Sequence, residues 1–344
     1  MRVSEKITLA QGSGGVETKR LIESIFAKHF YNGKTQNMPD AAIVQGGNKL
    51  AFTTDSFVVE PLFFNGGDIG RLAVCGTIND LLTTGATPIA LSCGFIIQAG
   101  FDVAKLEVIA DSMAQTAKEA SVQIVTGDTK VIEPPQNGSS TAANSAQNPQ
   151  SNIFINTSGI GRFDFEPLQL ENITLGDAII VTGCLGTHHA TIQSARMGFS
   201  NNIASDAAPL CEIVQSLQCS GVHLHAMRDI TRGGLATVLC EIFENTPYAA
   251  EIEEAKLPVL PQVASFAQIL GLDILHMGNE GNMLVFVPQS SAEAALKIIK
   301  ACKYGQNAAI IGQVGNVKKP VLKTRIGGTR ILRPLMGEGL PRIC

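Results

Sequence analysis

Residues 71–84 read RLAVCGTINDLLTT, and the apolar side chains of Leu72, Val74, Cys75, Ile78, Leu81 and Leu82 reach round nearly the whole helical circumference. A helix without a broad polar face has to be covered by other elements. Asp68 stands where an N-cap is needed and Gly85 where a helix closes, so the segment is bounded as a helix. One carboxylate, Asp80, breaks the apolar surface, in a polar stripe with Thr77 and Thr84. Burying a lone carboxylate is costly unless it is paired or faces a metal. Asp80 therefore caps a neighbouring loop, pairs with an arginine, or serves a cation.

The rest of the chain alternates strand and helix, which predicts an α/β (α+β) protein. Residues 49–54 and 122–126 read as strands, the first followed by Asp55 and the second by a turn at Gly127-Asp128-Thr129. Val103, Leu106, Ile109, Met113, Ala117 and Ala120 recur at helical spacing, and residues 153–160 form a further strand. Residues 134–152 are rich in Pro, Asn, Ser, Gln and Ala, uncharged and aperiodic, and are expected to be a flexible surface insert. The 344 residues allow two domains. We expect one at 1–164, interrupted by the insert, and a second at 172–325 with strands at 178–182 and 283–287. A tail follows at 334–344.

Composition narrows the function. A net charge of −4 argues against a nucleic-acid groove. No apolar run is long enough to span a membrane and no secretion core opens the chain, so a cytoplasmic location is expected. The eight cysteines are dispersed without a C-x-x-C pair, which supports neither a disulfide framework nor zinc.

The chemistry-bearing residues fall at strand ends and turns. Asp55, Asp80 and Asp128 together suggest hard carboxylates facing a polyphosphate through Mg²⁺. Gly12-Ser13-Gly14-Gly15 precedes a helix and can offer backbone N–H groups to phosphate, although such clusters more often mark turns. Lys130 is either a contact for a transferring phosphoryl group or a solvated cation. Met227 to Leu235 contains Arg228, Asp229, Arg232 and a Gly pair leading into a helix capped by Thr231, which is an anion-facing turn or only a tight connection. Glu280, in Asn279-Glu280-Gly281, is a candidate general base or a surface turn residue. His188 opens a helix and is either a ligand contact or passive. The last residue is Cys344, behind Gly337, Gly339 and Pro341, and a thiol on such a tail can travel between sites.

These pieces occur together and in order in one family. Through TTDSFVVEPLFFNGGDIGRLAVCGTINDLLTTGA, IVTGDTKV, IFINTSGIG, AMRDITRGGL, GNEGNMLVFV and PRIC the chain resembles the HypE family of hydrogenase maturation proteins, described as carbamoyl dehydratases. That family belongs to an ATP-binding superfamily with aminoimidazole ribonucleotide synthetase and selenophosphate synthetase. The resemblance implies a PurM-like architecture of two domains, each a mixed sheet with helices on one face, and a homodimer paired through the N-terminal sheets. It implies ATP and Mg²⁺ held by Asp55, Asp80 and Asp128. Gly12 to Gly15, Thr126, Gly127 and Asp229 join the nucleotide site, and Lys130 and Glu280 assist the dehydration. It also implies that a carbamoyltransferase, HypF, loads Cys344, that the carbamoyl group is dehydrated to a thiocyanate, and that cyanide passes to iron on a HypC–HypD complex. The chain departs from the family in its neutral insert and at Gly186-Thr187-His188-His189, where an Asp before the first His is expected. A small-molecule enzyme of the superfamily and a nucleotide-binding scaffold with a docking tail are the alternatives.

Overall fold

The computed structural model describes residues 6–8, 21–30, 49–133 and 152–335. Gly12 to Gly15, the insert up to residue 151 and Cys344 lie outside them. Strands β1 (Leu50–Phe57), β4 (Thr87–Gln98), β5 (Gln123–Ile132) and β6 (Ile153–Arg162) form a sheet in the order β1-β6-β4-β5. Only β4 and β5 run parallel. Alternation along β1 sends Thr53, Asp55 and Phe57 towards the helices and Leu50, Phe52, Thr54 and Ser56 to the other face. That second face is open, and Phe52 is 70% exposed on it.

A hairpin of β2 (Phe63–Phe64) and β3 (Gly67–Asp68) delivers the chain to the Ile69–Thr83 helix. Asp68 caps it, its carboxylate accepting from the N–H groups of Gly70 and Arg71 at 2.7 and 3.0 Å. As its apolar circumference requires, this helix is buried almost throughout. The Val103–Glu119 helix packs beside it.

The second sheet has seven strands, β13 (Thr329–Ile331), β12 (Val321–Lys323), β9 (Ala249–Glu253), β11 (Ala309–Gly315), β7 (Ala178–Val181), β10 (Met283–Val287) and β8 (Ala226–Asp229), in that order. Helices on one face only, as expected for both domains, describes the first sheet but not this one. Ile180, Met283, Val285 and Val287 pack with Ile213, Leu217, Ala295 and Ile299 on one side, while Ile179, Leu284 and Phe286 pack with Leu235 and Leu239 on the other. The reason is in the strands: Ala178–Val181 and Met283–Val287 are apolar at every position, so both faces need cover. The apolar core runs without a break from Leu72 and Ile78 of the first domain to Leu210, Leu217 and Val285 of the second.

Three local expectations change. Asp55 lies within β1 rather than after it. Gly127-Asp128-Thr129 is not a turn but the middle of β5, where a Cβ on Gly127 would stand 2.3 Å from the Cys93 carbonyl oxygen of the neighbouring strand. Thr231 does not cap the next helix. That helix is Gly234–Ile242, entered through Gly233 and Gly234 at φ of +78° and +65°. Glycine is required there because a Cβ on Gly234 would lie 2.6 Å from the Leu275 carbonyl oxygen.

Candidate active site

Strand β1 and the Ile69–Thr83 helix meet along two residue pairs. Thr53 Oγ1 donates to Asp80 Oδ2 at 2.9 Å. One helical turn earlier, Gly76 leaves room for the Asp55 carboxylate: a Cβ there would sit 3.3 Å from Asp55 Oδ2 and 2.8 Å from the Phe57 ring. Two-residue alternation on the strand and four-residue spacing on the helix therefore bring Asp55 and Asp80 to one seam. Burial pushes the Asp80 carboxyl up to about 6, helped by the nearby charges of Asp229 and Asp55 and opposed by the Thr53 hydroxyl and Arg228. Burial likewise raises Asp55, against the Ser56 N–H and Arg232, with Asp229 adding to the rise.

The second domain supplies the facing groups. Strand β8 ends in Arg228 and Asp229, whose side chains approach to 3.7 Å, and Arg228 also reaches Glu241 at 3.8 Å. Arg232 follows in the Gly-Gly turn. Beside it runs the 278–282 loop, fastened from both domains. Asn279 Nδ2 donates to the Ile230 carbonyl at 3.1 Å. Asn79, next to Asp80, donates from Nδ2 to the carbonyls of Ala208 and Glu280, at 3.0 and 3.3 Å, and its Oδ1 accepts from the Leu210 N–H. Glu280 is thus buried at the domain boundary and not on a surface turn. A Cβ on Gly281 would lie 1.9 Å from the Asp206 carbonyl oxygen, which explains the glycine in Asn279-Glu280-Gly281.

Asp55, Asp80 and Asp229 thus gather around one interdomain seam, while Glu280 is buried at the domain boundary, where its charge bears on Cys75. Asp128 does not join them within a single chain. It lies on β5, at the opposite edge of the sheet from β1. Its neighbours Thr126 and Gly127 share that edge. Asp128 and Lys130 are both exposed and 2.8 Å apart, and the Lys130 hydrogen bond holds the Asp128 carboxyl below its usual range. His188 is fully buried, hydrogen-bonded through Nδ1 to Ser205 Oγ at 2.7 Å and edge-on to the Phe64 ring, which gives it a packing role. Thr53, Gly76 and Asn79 escaped the sequence reading. The strand alternation held the signal for Thr53 and the i, i+4 relation to Asp80 held that for Gly76, but nothing local marks Asn79.

A separate cleft of about 780 Å³ lies between the domains, lined by Arg71, Glu119, Asp206, Lys303 and Tyr304 and containing none of the seam carboxylates. Its wall is a clamp. Arg71 donates to the Ala207 carbonyl at 2.7 Å and to Tyr304 Oη at 3.2 Å, and it pairs with Glu119 at 3.2 Å. Lys303 reaches the same carboxylate at 2.5 Å.

Comparison with known proteins agrees with this architecture. Residues 38–163 match the AIR synthase related protein N-terminal domain, and residues 174–325 match the C-terminal domain of the same family. The chain is 40% identical to carbamoyl dehydratase HypE of Rhodobacter capsulatus, over 99% of this chain and 98% of that protein. It is 39% identical to the Escherichia coli protein of the same name, over 98% and 99%. A crystal structure of hydrogenase maturation protein HypE in complex with ATP superposes with a TM-score of 0.89 at 40% identity, covering 98% of this chain and 99% of the other. With the fold, the seam and full-length identity in agreement, the chain belongs to the carbamoyl dehydratase HypE family of hydrogenase maturation proteins.

Proposed function

We propose that this chain uses ATP to dehydrate a carbamoyl group carried on its own Cys344, giving a thiocyanate whose cyanide serves [NiFe] hydrogenase assembly. The observation that carries the proposal is the seam itself, where Asp55, Asp80 and Asp229 act on one another beside Arg228 and Arg232. Crowded carboxylates facing arginines suit a triphosphate and its cation better than an uncharged ligand.

The donor set fits Mg²⁺ shared with phosphate. Among the described residues no three His, Cys, Asp or Glu side chains converge to hold a metal alone. Magnesium needs no such cage, because it is usually held by one or two carboxylates and completed by phosphate oxygens and water. Asp55 and Asp80 are the residues that would hold it, with Asp229 adjacent. When bound it would offset negative charge on the phosphates. An ATP complex in a relative supports the nucleotide assignment.

Amide oxygen is a poor leaving group, and phosphorylation makes it a good one. The carbamoyl oxygen attacks the γ-phosphorus of ATP, the bond to the bridging oxygen breaks, ADP departs and one N–H proton is lost. The C–O bond then breaks, phosphate leaves, and a base takes the second N–H proton, closing S–C≡N. Glu280, buried at the domain boundary on a loop held by Asn79, is the residue we propose as that base. Arg228 and Arg232 would orient the phosphates without needing to move.

Lys130 and Asp128 enter through a second copy of the chain. The open face of the first sheet exposes Phe52, and β1 and β5 are its two edges among the described residues. Two copies joined there, with β1 of one beside β5 of the other, bury Phe52 and carry Asp128 and Lys130 of one chain towards Asp55 and Asp80 of its partner. Residues Gly12 to Gly15 would close over the nucleotide, with Thr126 and Gly127 beside Asp128. A complex of HypE with HypF, at 42% identity and a TM-score of 0.76 to this chain, supports a HypF-type carbamoyltransferase as the loading partner. A HypC–HypD complex is the proposed acceptor. No helix among the described residues is long and apolar enough to cross a membrane, and we place the reaction in the cytoplasm.

Intact-mass spectrometry tests the proposal. After incubation with carbamoyl phosphate and the loading enzyme, the chain should carry a carbamoyl adduct that loses one water only with ATP, and Cys344→Ala should carry none. Thiocyanate on the Cys344→Ala protein, or water loss without ATP, would sink it.

A further inference from the structure

The last described residues do not leave the second domain freely. Leu332 N–H donates to the Pro320 carbonyl at 2.8 Å, beside strand β13. Two contacts then hold the next three residues. His276 Nε2–H donates to the Arg333 carbonyl at 3.0 Å. Leu335 N–H donates to Thr237 Oγ1 at 3.0 Å. Neither partner belongs to the seam, yet Thr237 stands five residues after Arg232, which faces it, and His276 four residues before the proposed base Glu280.

The two partners also form one platform. Gly234, at the start of the helix that bears Thr237, packs against the backbone of His276 and Met277 so closely that a Cβ would lie 2.6 Å from the His276 carbonyl carbon. Gly233 packs against the Thr237 side chain itself, with Oγ1 at 2.6 Å from a would-be Cβ. The hydroxyl that receives the Leu335 N–H is thus in contact with the turn that carries Arg232. The root of the tail and the phosphate-facing turn are referenced to the same atoms.

We infer that Thr237, supported by His276, is a positioning residue that anchors the root of the substrate-bearing tail beside the seam. The inference rests on Cys344 being the carrier. From this anchor nine residues remain to Cys344, a reach of roughly 30 Å at full extension. Without the Thr237 contact the last fixed point is Arg333, held by His276, and the tether is eleven residues from an origin farther back. Chain statistics alone lower the local concentration of Cys344 by about 1.4-fold for that lengthening. Displacement of the origin adds to the loss, because an intramolecular reaction depends on orientation as well as length.

Thr237→Val keeps the shape and removes the acceptor; Thr237→Ser restores it. With the carbamoyl group loaded on Cys344 and ATP saturating, single-turnover thiocyanate formation followed by mass should slow about threefold or more in Thr237→Val. ATP affinity should stay unchanged, and Thr237→Ser should match the wild type. Hydrogen exchange at the Leu335 amide should accelerate in Thr237→Val and not in Thr237→Ser. Leu335→Pro removes the donor while leaving Thr237 intact, and should slow the same step. Equal rates for wild type and Thr237→Val overturn the inference, as does a Thr237→Ser protein as slow as Thr237→Val, since packing under Gly233 would then be the whole role. A wild-type adduct that never loses water with ATP instead overturns the dehydratase reading and is seen without any variant.

Discussion

Thr53 Oγ1 donates to Asp80 Oδ2 across 2.9 Å, tying the edge strand of the first sheet to the one carboxylate of a helix that is otherwise packed in apolar side chains. The bond favours the ionised form, yet burial and the charges of Asp229 and Asp55 outweigh it. Asp80 is kept at a cost to the unliganded protein, which is the pattern expected of a residue retained for a ligand.

Asp80→Asn should accordingly separate stability from function. Removing the charge relieves repulsion at the seam, so the unliganded variant should be as stable as the wild type or more so by about 1 kcal/mol. Dehydration should fall by about a hundredfold, the scale of losing an electrostatic catalytic group. Chemical denaturation and the single-turnover mass assay measure the two effects.

The pH dependence follows from the same residue. Its folded-state pKa of about 6 lies above the ordinary carboxylate value. The folded chain therefore holds that proton more tightly than the unfolded chain, and the stabilisation is complete below about pH 4 and lost as pH rises through about 6. Without nucleotide, the wild type should lose about 2 kcal/mol more than Asp80→Asn between pH 4 and pH 7.5. Parallel urea titrations of the two proteins give the difference directly, and identical pH profiles would contradict it.

The proposed sharing of sites between two copies makes a quantitative prediction for mixtures. Asp80→Asn and Asp128→Asn should each be inactive alone. Refolded together, half of the dimers are mixed and each mixed dimer has one intact site, so about a quarter of wild-type activity should return. No recovery would mean that Asp128 serves its own chain or none.

Gly76 should tolerate no side chain. A Cβ at 2.8 Å from the Phe57 ring and 3.3 Å from Asp55 Oδ2 forces the strand and helix apart. Gly76→Ala should lose about 1–3 kcal/mol, the usual scale of overpacking, despite the better helix propensity of alanine. ATP affinity should fall with it, measured by calorimetry on the folded fraction.

The interdomain clamp predicts the opposite separation. Arg71→Leu removes the links to Ala207, Glu119 and Tyr304 and leaves Glu119 to Lys303. Stability should drop by about 1–2 kcal/mol, the scale of a partly buried ion pair and two hydrogen bonds lost together, with ATP affinity intact. Calorimetric unfolding and nucleotide titration check both.

What the sequence revealed followed periodicity. The buried helix was legible because its apolar residues cover every face, and Asp80 stood out against them. The strand Met283–Val287 was legible from its unbroken apolar run. The extent of β5 was not, because Gly127-Asp128-Thr129 has turn chemistry and only the neighbouring Cys93 carbonyl explains the glycine. The double cover of the second sheet required knowing which strands lie at its centre. Asp55, Asp80 and Asp128 looked alike in sequence, but strand order separates the third from the first two. Asn79, which joins the Glu280 loop to the buried helix, carries no local signature because its partners are 129 and 201 residues away.

The unbroken core between the domains decides what can move during a cycle. Leu72, Ile78, Leu210, Leu217 and Val285 share one packed interior, so opening the seam as a hinge would expose apolar surface on both sides at once. The proposed reaction, loaded by one protein and unloaded by another, then has little use for a jaw, and the body that holds the seam can stay shut through both exchanges.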